Sequence, residues 1–272
     1  MVADNNSTDD TRGLVESEFP AARVVTCENR GFSHANNRAL VTCRARYTLF
    51  LNPDTEVLDG TFGDLVDQLD RRPTLGLAGV RQVTADGALY PTIRRFPNAL
   101  RALGDAVGLE RISSRWSWLG ERELSAGAYE RETDCDWTSG SFMVARREAM
   151  ESAGVLDERF FIYSEETDFC YRIKKAGWDV RHLPVMTILH HAAKGGENAR
   201  TRAQDAFTRL QYARKNFSPA HRALYRAVLV LRYSLRAIAP GGKARRTASR
   251  SGLAVTLGLA PAPFGPPPQQ AV

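Results

Sequence analysis

From residue 22 to about 191, short apolar runs alternate with stretches of helical period, the rhythm of an α/β fold with a largely parallel sheet. Arg23 to Cys27 and Tyr47 to Leu51 suit buried strands, and Ser33 to Arg44 reads as the helix between them. Thr61 to Leu69 predicts the next helix and Leu75 to Val80 a third strand. Ala85-Asp86-Gly87 marks a hairpin turn into Ala88 to Ile93. Residues 98–133, with Trp116 and Trp118 among many charges, show no clear period and predict a short helix and a loop. A strand is predicted over Trp137 to Ala145, followed by helices over Arg146 to Ser152 and Glu165 to Ala176 with a turn at Gly154. Trp178 to Leu183 and Val185 to His190 read as two strands broken at Pro184. Asn198 to Asn216 and Pro219 to Ala239 predict two further helices. The basic, Pro-rich stretch 241–272 lacks the apolar content to pack and is expected to be disordered.

The 272 residues suffice for one large or two small domains, divided here as 1–197, two helices over 198–240, and the tail 241–272. An apolar share of 43% and a charged share of 25% exclude collagen-like, wholly disordered and integral-membrane classes. Cys27, Cys43, Cys135 and Cys170 sit far apart with no Cys-x-x-Cys pair, and nothing at the start reads as a signal peptide, as expected of reduced thiols in a cytoplasmic protein. The net charge of +6 is local: residues 220–272 carry eight basic and no acidic residues, leaving 29 basic against 31 acidic in the remainder. The basic charge is thus a property of the C-terminal part and not of the body.

Four places carry candidate chemistry. Asn52-Pro53-Asp54-Thr55 follows an apolar strand, and a carboxylate at a strand's carboxyl end can hold a hard divalent cation against phosphate oxygens or simply cap a turn. Ser164-Glu165-Glu166-Thr167-Asp168 packs three carboxylates into a helix's first turn, which the helix dipole favours. Asp168 with Arg172 makes an ordinary i,i+4 pair, whereas Glu166 falls on the face of Phe169, Cys170 and Ile173, where desolvation would raise its pKa toward that of a general base. His190 and His191 close a strand, so alternation sends one inward and one outward, as a core residue or as a metal ligand. Asn29-Arg30-Gly31-Phe32-Ser33 with Ala35-Asn36-Asn37 is a polar entry into a helix, either a simple cap or a contact for phosphate or sugar.

Six stretches occur together in order: residues 2–9, Asn29-Arg30-Gly31-Phe32 with Ala35-Asn36-Asn37, Leu51-Asn52-Pro53-Asp54-Thr55, Trp137-Thr138-Ser139-Gly140-Ser141, residues 154–161, and Tyr163-Ser164-Glu165-Glu166-Thr167-Asp168 with Arg172. In this the chain resembles family 2 glycosyltransferases of the rhamnosyltransferase-like branch, over residues 2 to about 215. The resemblance implies a GT-A fold, with a mixed, mainly parallel sheet and C-terminal helices. It also implies inverting transfer of a sugar from a nucleotide-diphosphate donor, with rhamnose a candidate, to a cell-envelope glycan or lipid-linked glycan, aided by Mg²⁺ or Mn²⁺. Carried over by position, Asp4, Asn36, Asn52 and Asp54 would bind the nucleotide sugar. Asp54 and His190 would hold the metal, Glu166 would be the catalytic base, and Trp137, Gly140, Glu165 and Asp168 would line the acceptor site.

Asn52 and Glu166 each stand where the family usually has Asp. Family members also ordinarily begin earlier, with a strand and helix upstream of the equivalent of Met1. A start assigned too late is the favoured explanation, and a non-catalytic remnant lacking a complete donor site is the alternative. On a helical wheel Arg222, Arg226, Arg232 and Arg236 oppose Leu224, Val228, Leu231 and Leu235. Such a helix can lie on an anionic membrane surface, at the inner face of the plasma membrane, or pack its apolar side on the body. Tyr225, Tyr233 and Phe264 are too few to stack bases, so no nucleic-acid partner is expected.

Overall fold

The computed structural model describes residues 1–109, 118–191, 198–239 and 242–264. Trp116, the Pro240-Gly241 helix end and Pro266 to Pro268 lie outside the described residues. The chain opens with β1 (Val2–Asp4), α1 (Thr11–Glu18) and β2 (Val24–Thr26), and β1 pairs parallel with β2. Then come α2 (Phe32–Leu40), β3 (Tyr47–Leu51), β4 (Thr55–Asp59), α3 (Phe62–Asp70), β5 (Leu75–Val83) and α4 (Ala99–Val107). β6 (Thr133–Asp134), β7 (Phe142–Arg146), α5 (Arg147–Ala153), α6 (Glu165–Lys175) and β8 (Asp179–His190) complete the α/β body. It is followed by α7 (Ala199–Asn216), α8 (Pro219–Ile238) and α9 (Lys243–Leu257).

Strands β3, β7, β5, β8 and β4 lie side by side in that order, with β6 added on β8. The sheet is mixed, but its balance differs from the expected one. β5 and β8 run parallel, whereas β3–β7, β5–β7, β4–β8 and β6–β8 are antiparallel. Alternation of strand and helix along a sequence does not fix strand direction: each antiparallel pair here joins strands distant in sequence, as β3 with β7 and β4 with β8. The two strands expected on either side of Pro184 are one strand, which accommodates the proline in a register shift between the Val80–Leu183 and Arg81–Thr187 pairs. The expected strand over Ala88 to Ile93 is reduced to a single bridge, Val83 to Leu89, behind the turn at Gly87.

One face of the sheet packs Phe50, Leu77, Met143 and Val180 against Ala149, Phe169 and Ile173 of α5 and α6. The other packs Ala78, Val80, Val144 and Ile188 against Leu65 and Leu69 of α3. A separate cluster joins α4 to the C-terminal helices, where Ala102, Ala203, Ala206 and Ala213 let backbones approach around Tyr225, Leu229 and Tyr233. All four cysteines are free thiols.

Two expectations for the C-terminal part are corrected. Residues 243–257 are not a disordered tail: α9 packs on α7 and α8 through Ala248, Ser249, Gly252, Val255 and Thr256. Its contact face is made of small residues, which a count of apolar residues does not register, and at Gly252 a side chain would collide with the Tyr233 ring. Helix α8 does not set its arginines against its leucines. Tyr225, Val228, Leu229, Arg232 and Tyr233 face inward, while Leu224 and Leu231 remain 57% and 41% exposed. The two tyrosines set the inward face and carry Arg232 in with them. Among the described residues, no helix is long and apolar enough to cross a membrane.

Candidate active site

The link between β3 and β4 places Asp54. Thr55 Oγ1 donates to the Asn52 carbonyl at 2.8 Å and closes the turn, and the Asn52 amide donates to the Ser141 carbonyl at 3.0 Å. Because Thr55 pairs with His190 across β4 and β8, Asp54 comes beside that imidazole, Oδ1 to Nε2 3.4 Å, and its carbonyl accepts from the His191 amide at 2.9 Å. His190 is the inward histidine, its ring edge against Tyr90 and its Nδ1 buried without a hydrogen-bond partner. His191 turns outward to Glu56. At 3.4 Å the Asp54–His190 contact is long for a hydrogen bond and suits two ligands of one divalent cation. Among the described residues no group of three or more His, Cys, Asp or Glu side chains assembles, so further ligands would be phosphate oxygens and water.

The Ser139–Ser141 loop joins this pair to the carboxylates of α6. Ser141 Oγ donates to Gln82 Oε1 at 2.7 Å and shares a 3.0 Å hydrogen bond with Ser139 Oγ, so the same loop that supports Asn52 is pinned to β5. A Cβ on Gly140 would lie 3.7 Å from that of Glu166, which puts the glycine directly over the glutamate. Trp137 is buried, donates Nε1 to the Arg95 carbonyl at 3.0 Å, and lies under the Arg94 guanidinium. The strand expected over residues 137–145 therefore begins only at Phe142; the segment before it is the loop that covers Glu166.

Helix α6 starts under strain. Tyr163 and Ser164 both adopt left-handed backbone, φ 71° and 66°, a conformation that costs non-glycine residues of order 1 kcal/mol each and collects at functional sites. The turn aims Glu165 and Glu166 inward together, and each keeps one carboxyl oxygen without a partner. Glu166 is half-buried and Glu165 is 5% exposed, so the inward face is wider than the helical wheel predicts. Burial and the neighbouring Glu166 charge push Glu165 well above the ordinary glutamate value. Burial also raises Glu166, where Arg94 and Arg209 favour the ionised form and Asp205 opposes it. The two upward shifts mean that this pair resists carrying two negative charges at once.

Asp168 lies outside this cluster. It is fully buried, and its oxygens are held by Arg172 at 2.8 Å and Lys215 at 2.7 Å, so it ties α6 to α7 instead of meeting an acceptor. Asp157 joins the same bridge through Lys215 at 2.6 Å, which accounts structurally for its motif. On the N-terminal side, Asp4 ends β1 as a nearly buried carboxylate. Hydrogen bonds from Ser7, chiefly, hold its pKa below the ordinary aspartate value. Asn36 donates to the Phe32 carbonyl at 2.9 Å, within its own helix. Gly31, at φ 101°, fixes the start of that helix: a side chain there would strike the Phe161 backbone, whose carbonyl accepts from Phe32 N–H.

Arg94, Arg209 and Lys215 were not singled out by sequence. Arg209 and Lys215 read alone as ordinary charges on a polar helix, and Arg94 as one of a basic pair in a loop; only the fold places them near Glu166 and Asp168.

The family model for glycosyl transferase family 2 matches residues 1–152. The chain is 30% identical over 209 residues to an N-acetylglucosaminyl-diphospho-decaprenol L-rhamnosyltransferase of Mycobacterium tuberculosis, covering 71% of this chain and 66% of that one. It is 25% identical over 175 residues to rhamnosyltransferase WbbL of Escherichia coli, covering 60% and 61%. The chain thus spans about two thirds of the length of these relatives. Among solved structures, the mannosyltransferase PcManGT of Pyrobaculum calidifontis, in complex with GDP-Man and Mn²⁺, superposes with a TM-score of 0.52 at 17% identity, covering 94% of this chain and 76% of that one. With its α/β body, mixed sheet and C-terminal helices in the GT-A arrangement, the chain belongs to glycosyl transferase family 2.

Proposed function

We propose that the protein is an inverting glycosyltransferase. It would move a sugar, rhamnose being the candidate that the mycobacterial and E. coli relatives favour, from a nucleotide-diphosphate donor to a lipid-linked or cell-envelope glycan. The observation that carries this reading is the pairing of two sites through one loop: Asp54 with His190 on one side of Ser139–Ser141, and Glu166 under Gly140 on the other. Asp4, Asn36 and Asn52 complete the donor side; Trp137, Gly140 and Glu165 form the acceptor side.

In the reaction, the Glu166 carboxylate takes the proton of the acceptor hydroxyl as its oxygen attacks the anomeric carbon. The bond from that carbon to the donor's diphosphate oxygen breaks, and the nucleoside diphosphate leaves with the electron pair. Attack opposite the leaving group inverts the anomeric centre. Asp54 and His190 would hold Mg²⁺ or Mn²⁺, which when bound supplies positive charge against the departing diphosphate. Burial of Glu165 raises its pKa and so disfavours a second negative charge beside Glu166. Leu224, Leu231 and Ile238, exposed on α8 beside Arg222, would bring the chain to the inner membrane surface where such acceptors lie.

The test is incubation with dTDP-rhamnose and other nucleotide sugars, with Mn²⁺ or Mg²⁺ and a diphospholipid-linked glycan. Mass spectrometry would detect the extended acceptor and NMR the product anomer. Transfer with inversion supports the reading. Donor hydrolysis alone, or retention, contradicts it.

A further inference from the structure

A cavity of about 390 Å³ lies where α7, α8 and α9 meet the chain around Arg94, within the roughly 300–1,000 Å³ of small-ligand clefts. Its described lining is entirely charged, seven arginines against two acidic residues. Arg209 is satisfied: it donates to Glu121 at 2.8 Å and to Asp205 at 3.0 Å, as a structural network requires. Arg232 is not. It is 6% exposed, its Nε and Nη1 lack hydrogen-bond partners, and its ion pair with Asp105 is loose, at 3.9 Å. The buried Nε of Arg94 is likewise without a partner. Buried guanidinium N–H groups that lack hydrogen bonds are costly unless an acceptor meets them. Burial first, and then the charges of Arg232 and Arg202, pull Arg236 down to about 10.

The cavity adjoins the acceptor side of the site. Arg94 lines it and also stacks over Trp137, 5.4 Å from the ring. On the proposed reading the donor's diphosphate would meet a cation held by Asp54 and His190, on the other side of the Ser139–Ser141 loop. On α8, Arg232 and Arg236 face the cavity while Leu224, Leu231 and Ile238 are exposed, so one helix offers cations inside and apolar surface outside.

We propose that this arginine-lined cavity binds the phosphate or diphosphate group of the acceptor, with Arg94, Arg232 and Arg236 as donors. The identification of the phosphate as the acceptor's rests on the glycosyltransferase reading. Guanidinium forks suit phosphate oxygens in geometry and charge, and a buried cluster of them discriminates strongly against an uncharged aglycone. The anchor would fix the glycan so that its reacting hydroxyl reaches Glu166, and sugar chains carried on a neutral aglycone would bind without it.

The test is equilibrium binding to the full chain without donor, so that it does not depend on turnover. The probes are a short-chain prenyl-diphospho-N-acetylglucosamine, the same sugar on a neutral alkyl aglycone, and inorganic pyrophosphate. The wild type should prefer the diphosphate probe by about tenfold or more, the worth of one or two charge-assisted hydrogen bonds. Arg236→Gln, on the half-exposed rim, should reduce that preference to about threefold or less with unchanged thermal unfolding, and Arg232→Gln should do so more strongly. Pyrophosphate should compete with the diphosphate probe while a nucleotide-sugar donor still binds. Equal affinity for the charged and neutral probes, or a preference that survives Arg236→Gln, would overturn the proposal. So would pyrophosphate that displaces the donor and spares the acceptor probe. If the acceptor results come out as expected but no sugar is transferred, the cavity stands as a phosphate site and the glycosyltransferase reading fails alone.

Discussion

The N-terminal unit and the C-terminal helical layer are built on opposite principles. Strands β1 and β2 pair only with each other among the described residues, and α1 buries no residue, with Leu14 and Phe19 exposed. Across the molecule, α7, α8 and α9 enclose Tyr212, Tyr225, Tyr233 and Leu229 with no exposed surface to speak of, and hold Arg209 between two carboxylates. The first region carries recognisable motifs on a thin support. The second carries no motif and a densely determined interior. On the proposed reading the contrast serves two tasks: donor contacts such as Asp4 need only a few polar groups at strand and helix ends, whereas an anchor for the acceptor needs a shaped, charged interior.

The largest effect that separates them is expected at Glu166. Glu166→Gln keeps the shape and removes the proton acceptor, so the sugar-transfer rate should fall by about 10²–10⁴-fold in a steady-state assay. Glu166→Asp, which restores the residue usual in the family, should retain activity. Next is stability: Leu229→Ala, in the core of the helical layer, should cost about 2–5 kcal/mol in chemical denaturation. A third test uses pH. Glu165 has a folded-state pKa above its unfolded value, so the folded chain keeps a proton that the unfolded chain releases, and stability falls as pH rises above the ordinary value of 4.5. Glu165→Gln should match the parent near pH 4.5 and exceed it at higher pH. The gap should widen by about 1.4 kcal/mol per pH unit until Glu165 also ionises in the folded chain. The smallest effect is expected in the thin region: Leu14→Ser, 59% exposed on α1, should change stability by no more than about 0.5 kcal/mol. A loss comparable to that of Leu229→Ala would show that α1 packs against something and would remove the contrast.

Much of the α/β body was legible in sequence, because buried strands such as Tyr47 to Leu51 and helices such as Glu165 to Lys175 carry their period in their own residues. Strand direction was not, since it depends on which distant strand each one meets. Glu166 was legible as an inward carboxylate, but Glu165 was not, because the left-handed backbone at Tyr163 and Ser164 rotates the first turn in a way no wheel shows. Asp168 carried a family motif position yet serves a buried bridge to Lys215, a partner 47 residues later that only the fold reveals. The arginine cavity was the least legible part. Its arginines come from Arg94, Arg122 and three helices, each helix reading alone as a solvated basic face, and only packing brings them around one cavity.

The division of labour between the two sides is tested most directly by calorimetric titration of a nucleotide-sugar donor, with Mn²⁺ present, into Asp54→Asn and Glu166→Gln. The expected result is donor affinity weakened by about tenfold or more in Asp54→Asn and kept within about twofold of the parent in Glu166→Gln. Donor affinity untouched by Asp54→Asn, or lost equally in both variants, would contradict it.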